Sequence, residues 1–271
     1  MDSTSDGVYS KYYAQLELLR RRKPLIHHIV NYVAMNDCAN VTLSLGALPV
    51  MTHHPEELED IVSRSSALYL NLGTPDQERF HSMLLALRLA ERYGVPVVLD
   101  LVGVGATRFR GTMAAKILGD SHVGVVKGNG GEVLGLLGGV GGVRGVDSAV
   151  EVEPRVASEA SEKYGCVVAV TGVTDYVASG GRLCRIEGGS DMFTRITGAG
   201  DMAGSVVASF LAVNTDPFDA CVGGLATFKA AGSLSAAKCR GPGSFRTQLF
   251  DELFNFGVDG YSHVKISFEE V

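Results

Sequence analysis

Short runs of apolar residues with no polar face alternate along this chain with stretches of helical periodicity, and that alternation leaves few folds open. Candidate strands lie at Leu25–Val30, Ala47–Met51, Ala67–Leu72, Val95–Leu99, Val123–Val126 and Cys166–Thr171, with helical stretches at 9–22, 36–45, 55–63, 76–93, 112–119, 130–137 and 152–164 around them. Pro55 followed by Glu56 and Glu57 suits a helix start, because proline fits the first turn and acids complement its dipole. A strand that is apolar on both sides must be covered on both sides, so the pattern predicts a mostly parallel sheet between two helical layers. After Thr171 the pattern changes. Tyr176–Ser179, Gly180-Gly181 and Leu183–Ile186 read as a β-hairpin at the sheet edge, followed by helices near 201–213, 217–238 and 243–256. The only linker candidate, GGVGGVRG at 138–145, is too short and apolar to mark a boundary, so residues 1–271 are read as one domain.

Composition narrows the function classes. The net charge is -6, which argues against a nucleic-acid surface, and the basic run Arg20-Arg21-Arg22-Lys23 fits a helix C-terminus. No apolar run approaches the ~18 residues a membrane span needs, and the N-terminal stretch lacks the apolar core of a signal peptide. The five cysteines form no CxxC pair, so neither a zinc site nor a disulfide framework is suggested and the reducing cytoplasm is the expected compartment. The chain has 34 glycines, where ordinary usage would give roughly 19. The excess clusters after apolar runs (Gly103-Val104-Gly105, Gly128-Asn129-Gly130-Gly131, Gly198-Ala199-Gly200), where strand ends would carry ligand loops.

Ligands of open parallel sheets bind at the carboxyl ends of the strands. That rule selects Asn31, Asp100, Lys127 to Glu132, Thr171 and Asp201. In Arg195-Ile196-Thr197-Gly198-Ala199-Gly200-Asp201, Ile196 runs into a glycine turn that opens a helix. The free N–H groups of such a helix start make an anion site, and Asp201 puts one carboxylate beside it. That combination suits phosphoryl transfer to an alcohol: the Gly198–Gly200 amides face the moving phosphoryl and Asp201 receives the hydroxyl proton. Asp201 as a helix N-cap is the alternative. Asp100 and Glu132 supply hard oxygen donors suited to magnesium with phosphates, with a capping-box role open for Glu132. Lys127 offers a point charge to a phosphate or is a solvated strand-end lysine. Met35, Met51 and Val33 are candidates to line an apolar substrate pocket. The P-loop and dinucleotide fingerprints are absent, as are H-E-x-x-H and G-x-S-x-G, and the pairs His27-His28 and His53-His54 would face opposite ways in a strand.

The ordered set Asn31, Leu45-Gly46-Ala47-Leu48-Pro49-Val50-Met51, Leu99–Ala106, Lys127–Glu132, Gly145-Val146-Asp147, Val170-Thr171-Gly172, Asp175-Tyr176-Val177 and Thr197–Asp201 resembles the hydroxyethylthiazole kinase family of thiamine salvage. The resemblance runs from about residue 24 to 240. It implies a ribokinase-like three-layer α/β/α fold and transfer of the ATP γ-phosphate to 4-methyl-5-(2-hydroxyethyl)thiazole. It also implies a homotrimer with active sites at subunit interfaces. By matching positions, Met51 and Gly198 touch the thiazole, Lys127 and Thr171 bind ATP, and Asn31, Asp100 and Glu132 organise Mg2+ and phosphates. Position 127 is usually Arg in the family, Leu101 stands where Pro is usual, and many members carry Cys in place of Asp201. Competing readings are a hydroxymethylpyrimidine or pyridoxal kinase, the ATP-dependent dehydratase that repairs hydrated nicotinamide cofactors, and a non-catalytic nucleotide sensor.

Overall fold

A computed structural model of the chain describes residues 3–138 and 154–270. Nine strands form one sheet in the order β2-β1-β3-β4-β5-β6-β7-β8-β9. Strands β1 (Leu25–Ile29), β2 (Leu48–Met51), β3 (Ala67–Asn71), β4 (Val97–Asp100), β5 (Val125–Asn129) and β6 (Val167–Thr171) are mutually parallel. The hairpin β7 (Thr174–Ser179) and β8 (Arg182–Gly188) adds antiparallel to β6, as its Gly180-Gly181 turn suggests. It is not the edge of the sheet. A further strand, β9 (Val264–Glu270), pairs antiparallel with β8 beyond it.

Consecutive strand residues point to opposite faces, and in the central strands both faces are apolar. In β3, Ala67 and Tyr69 enter one hydrophobic cluster while Leu68 and Leu70 enter the other. One layer holds α1 (Ser3–Arg22), α2 (Met35–Leu45), α8 (Ala199–Leu211), α9 (Pro217–Lys238) and α10 (Pro242–Phe254). The other holds α3 (Leu58–Val62), α4 (Gln77–Tyr93), α5 (Arg108–Asp120), α6 (Gly130–Leu136) and α7 (Arg155–Tyr164). The result is the three-layer arrangement expected from the alternation. The proposed linker lies, apart from Gly138, outside the described residues, as does the motif Gly145-Val146-Asp147.

Two local expectations change. Ile196 is not the end of a strand: it follows a short 3-10 turn, Asp191–Arg195, so Asp201 sits on a helix laid across strand ends rather than after one. Helix α8 begins two residues early, with Gly198 as its N-cap residue and Asp201 already in its first turn, which removes the N-cap alternative for Asp201. The sheet order also locates the crevice. From β1 the chain steps outward to β2 and returns to the other side as β3, so the connections diverge between β1 and β3, the switch point where open sheets bind ligands.

Candidate active site

Gly198 adopts φ +83°, a conformation that side chains resist, and a Cβ there would lie 2.9 Å from the Cβ of Ala34. That close approach brings the start of α8 onto the Asn31–Ala34 turn after β1. The first-turn N–H groups of Ala199, Gly200 and Asp201 have no partner within the helix by its geometry. Asp201 therefore stands at the β1–β3 switch point beside donors that the helix itself does not use.

Its carboxylate is held on one side. Asn31 Nδ2 donates to Asp201 Oδ1 at 2.9 Å, and Asn71 Nδ2 donates to the same oxygen at 2.6 Å. The hydroxyl of Tyr69 donates to Asp100 Oδ2 at 2.8 Å and lies 3.0 Å from the backbone carbonyl of Asp201, tying the two acids through one buried ring. Lys127 reaches Asp100 at 3.0 and 3.2 Å in a pair removed from solvent. Parallel pairing sets this up, because Asn71 is registered on Asp100 and Asp100 on Lys127. Lys127 also faces α8: a Cβ on Gly200 would sit 3.5 Å from its ammonium.

Burial pushes Asp100 up to about 7; the Lys127 ammonium pulls it down, and the Asp201 and Glu132 carboxylates add to the rise. Burial works against the charge of Lys127, but Asp100, Glu132 and Asp201 outweigh it and hold the lysine above its ordinary range. Three carboxylates around one ammonium leave the crevice net negative, which favours a ligand bringing cations.

Glu132 is in the crevice, yet its carboxylate is already bonded. Oε2 accepts from Asn129 N at 2.7 Å while Asn129 Oδ1 accepts from Glu132 N at 3.0 Å, a reciprocal capping box, and Oε1 accepts from Gly103 N at 2.8 Å. Glu132 thus joins the loops after β4 and β5, with one lone pair free on each oxygen. Burial holds its carboxyl above the usual range. Thr171 ends β6 in register with Asn129, its hydroxyl 3.4 Å from Gly128 O. Met51 and Met35 are half-buried against the same apolar cluster as Ile196 and Ala199. Val33 is not pocket lining in the chain by itself: it is 61% exposed, beside Tyr32 at 57%.

Four residues of the site escaped the strand-end rule. Asn71 lies inside the strand predicted over Ala67–Leu72, although a polar residue closing an apolar run carries the same signal as Asp100. Tyr69 looks like core, and only the fold gives its hydroxyl two acidic residues. Arg79, 1% exposed, donates to Val30 O at 3.1 Å and to the carbonyls of Gly73 and Thr74, so one guanidinium fixes the turns after β1 and β3. Lys229, in the middle of α9, binds Gly172 O at 3.0 Å, Val173 O at 2.7 Å and Asp175 at 3.3 Å, which orders the turn after Thr171. No group of three or more His, Cys, Asp or Glu side chains among the described residues forms a protein-only metal cage.

Solved structures of the same architecture set the class. The chain superposes on a ribokinase-like superfamily protein from Enterococcus faecalis V583 with TM-score 0.65 at 12% identity, covering 89% of each chain. It superposes on pyridoxal kinase from Staphylococcus aureus with TM-score 0.60 at 16% identity, covering 92% of this chain and 99% of that one. At such identities the likeness is one of fold, and the fold is ribokinase-like. Sequence carries the assignment further: the chain belongs to the hydroxyethylthiazole kinase family, whose model matches residues 16–259. It is 47% identical over 256 residues to hydroxyethylthiazole kinase of Caldivirga maquilingensis, covering 94% of this chain and 96% of that one. The hydroxyethylthiazole kinase structure from Pyrococcus horikoshii OT3 superposes with TM-score 0.89 at 37% identity, covering 96% of this chain and all of that one.

Proposed function

We propose that this protein phosphorylates the hydroxyethyl group of 4-methyl-5-(2-hydroxyethyl)thiazole from ATP, within thiamine biosynthesis or salvage. The observation that carries the chemistry is the Asp201 carboxylate in the first turn of α8, beside the amides that open that helix and within a crevice holding Lys127. The substrate follows from family membership. In the reaction Asp201 takes the alcohol proton and the alcohol oxygen bonds to the γ-phosphorus. The bond from that phosphorus to the β–γ bridging oxygen breaks, and ADP leaves. The Gly198–Gly200 amides and Lys127 face the charge on the moving phosphoryl, where preorganised donors lower a barrier most. Thr171 and Gly200 are assigned to ATP, and Met51, Gly198 and Asn31 to the thiazole. Val33 joins the thiazole side only across a subunit contact.

Magnesium fits this donor set. The crevice is oxygen-only and net negative, and magnesium characteristically takes one or two carboxylates with phosphate oxygens and water. Asp100 and the free lone pairs of Glu132 would hold it, and its contribution is to neutralise phosphate charge. The assembly we infer is a homotrimer with shared sites. Tyr32, Val33, Leu43 and Leu48 expose apolar surface around α2 and the edge strand β2, within one chain segment that also carries Asn31 and Met51. A cytoplasmic setting agrees with five free cysteines, and no helix of the described residues is long and apolar enough to cross a membrane.

The test is a panel of thiazole, hydroxymethylpyrimidine and pyridoxal alcohols with ATP and magnesium, the phosphorylated product identified by mass. Preference for the thiazole supports the reading. Turnover confined to another alcohol, or none in any arm, overturns it. Full activity in EDTA removes the magnesium assignment, and a fully active monomeric Val33→Asp variant removes the shared site.

A further inference from the structure

We infer that Asn71 is a positioning residue for the phosphoryl-transfer step: with Asn31 it commits one oxygen of Asp201 to amide donors and leaves the other as the sole proton acceptor. The inference rests on Asp201 being the base, as proposed above.

Amide orientation is not ambiguous here, because each asparagine has its oxygen fixed by a backbone N–H. Asn71 Oδ1 accepts from Gly73 N at 2.9 Å, and Asn31 Oδ1 accepts from Ala34 N at 3.0 Å. Each Nδ2 must then face the crevice. Asn31 Nδ2 spends its two hydrogens on Asn71 Oδ1 at 2.9 Å and Asp201 Oδ1 at 2.9 Å. Asn71 Nδ2 spends its own on the Tyr69 hydroxyl oxygen at 3.1 Å and Asp201 Oδ1 at 2.6 Å. All four amide hydrogens are committed, and two converge on one carboxylate oxygen. Asp201 Oδ2 is the oxygen on the Gly198 side, 3.6 Å from where a Cβ of that residue would lie.

The chemical consequence concerns where the substrate proton goes. A proton on Oδ1 would oppose two N–H donors. A proton on Oδ2 leaves Oδ1 a carbonyl-like acceptor, and neither asparagine has to turn. The network serves the ionised and the protonated base in one arrangement, so proton transfer requires no reorganisation of these groups, which is the advantage of preorganised donors. The arrangement is braced from behind. Arg79 ties the carbonyls of Val30, Gly73 and Thr74, the residues flanking the two asparagines. Of the charged and titratable groups around Asp201, Asp100 and Lys127 lie on β4 and β5, Tyr69 on β3 and Glu132 on α6, and their hydrogen bonds go to other acceptors and donors, which leaves Oδ1 to the amides.

The experiment is a double-mutant cycle on the full-length enzyme with ATP and the thiazole alcohol. Asn71→Ala should lower kcat by about 10–100-fold, the range for one hydrogen bond to a charged group, with KM for ATP within about twofold because the amide is not assigned to nucleotide. In an Asp201→Asn background the same Asn71→Ala change should lower residual kcat by less than about twofold, since interacting residues are non-additive. Asn71→Asp keeps the oxygen that Gly73 N requires, removes the donor and sets a second carboxylate against Asp201 Oδ1, so it serves where the alanine variant does not fold; it should also lose at least tenfold. An equal loss in both backgrounds, or an unchanged kcat in both variants at position 71, overturns the inference. Near-normal turnover of Asp201→Asn alone overturns the base assignment instead, so the two failures are distinguishable.

Discussion

Helix propensity and tertiary packing give opposite signs for Gly204→Ala, which makes it a sharp test of how α8 meets the sheet. In an exposed helix interior, alanine is preferred over glycine by about 0.5–1 kcal/mol. Gly204 is instead buried against the Tyr69 ring: a Cβ there would lie 2.6 Å from both Cε2 and Cζ and closer still to the hydroxyl. Ordinary contact begins near 3.4 Å, so ring or helix must give by roughly an ångström. Overpacking on that scale costs about 1–3 kcal/mol. The ring cannot swing freely, since its hydroxyl holds Asp100 and the Asp201 carbonyl; releasing a bond to a charged group adds about 1.5–3 kcal/mol. After the propensity gain, the net expectation is a loss of about 2–5 kcal/mol, seen in a chain of 271 residues as a fall in Tm of roughly 4–9 °C. If the helix yields instead, Asp201 moves with it, three residues along, and kcat should fall about 100-fold, as misplacement by about 1 Å can cost. Thermal and denaturant unfolding followed by circular dichroism, beside a steady-state kinase assay, reads both. Combining Gly204→Ala with Tyr69→Leu should abolish most of the steric penalty. A neutral or stabilised Gly204→Ala variant would show that the α8–β3 contact is not as close as described here.

Two further outcomes follow from buried charge. His28 is fully buried between Thr42 and the edge of the Tyr69 ring, and burial lowers it to about 3, so between pH 6.5 and 3 the unfolded chain binds a proton that the native state refuses. Native stability is therefore lost as pH falls below about 6.5, and His28→Gln should flatten unfolding free energy against pH by about 1.4 kcal/mol per unit in that window; parallel slopes would contradict this. Lys229→Met leaves Asp175 buried without its ammonium and should cost about 3–5 kcal/mol in denaturant unfolding, with much of the loss recovered in Lys229→Met/Asp175→Asn; an unaffected single variant would refute a stabilising Lys229–Asp175 pair.

Much of this architecture could be read from the residues. Runs such as Val95–Leu99 and Cys166–Thr171 are apolar on both faces, which a covered parallel sheet explains, and the strand-end rule reached Asn31, Asp100 and Lys127, while Asp201 was selected through a turn that only resembles a strand end. Most of the rest depended on information that local pattern does not hold. Val264–Glu270 carries the apolar–polar alternation of a half-buried strand, a signal in the sequence that the predicted strands leave unassigned, and only the fold shows that it pairs with β8. The Asp191–Arg195 turn has no apolar period, and Ile196 therefore imitated a strand end. Tyr69 and Arg79 are ordinary in sequence. Their roles arise because Asp100, Asp201 and the carbonyls of Val30, Gly73 and Thr74 reach them across gaps of up to 132 residues. Glu132 forms the capping box that sequence offered as the alternative to a magnesium role, and its further bond to Gly103 N joins two loops that local pattern does not connect.

The most direct test of the account is single-turnover transfer from ATP to the thiazole alcohol by Asp201→Asn, with nucleotide affinity measured on the same preparation. Asparagine keeps the size of the side chain and removes its ability to take a proton. The account expects the transfer rate to fall by about 10²–10⁴-fold, the range for loss of a general base, while ATP binds within about twofold of the parent. A variant that transfers phosphate at the parent rate would contradict the central claim that Asp201 accepts the hydroxyl proton.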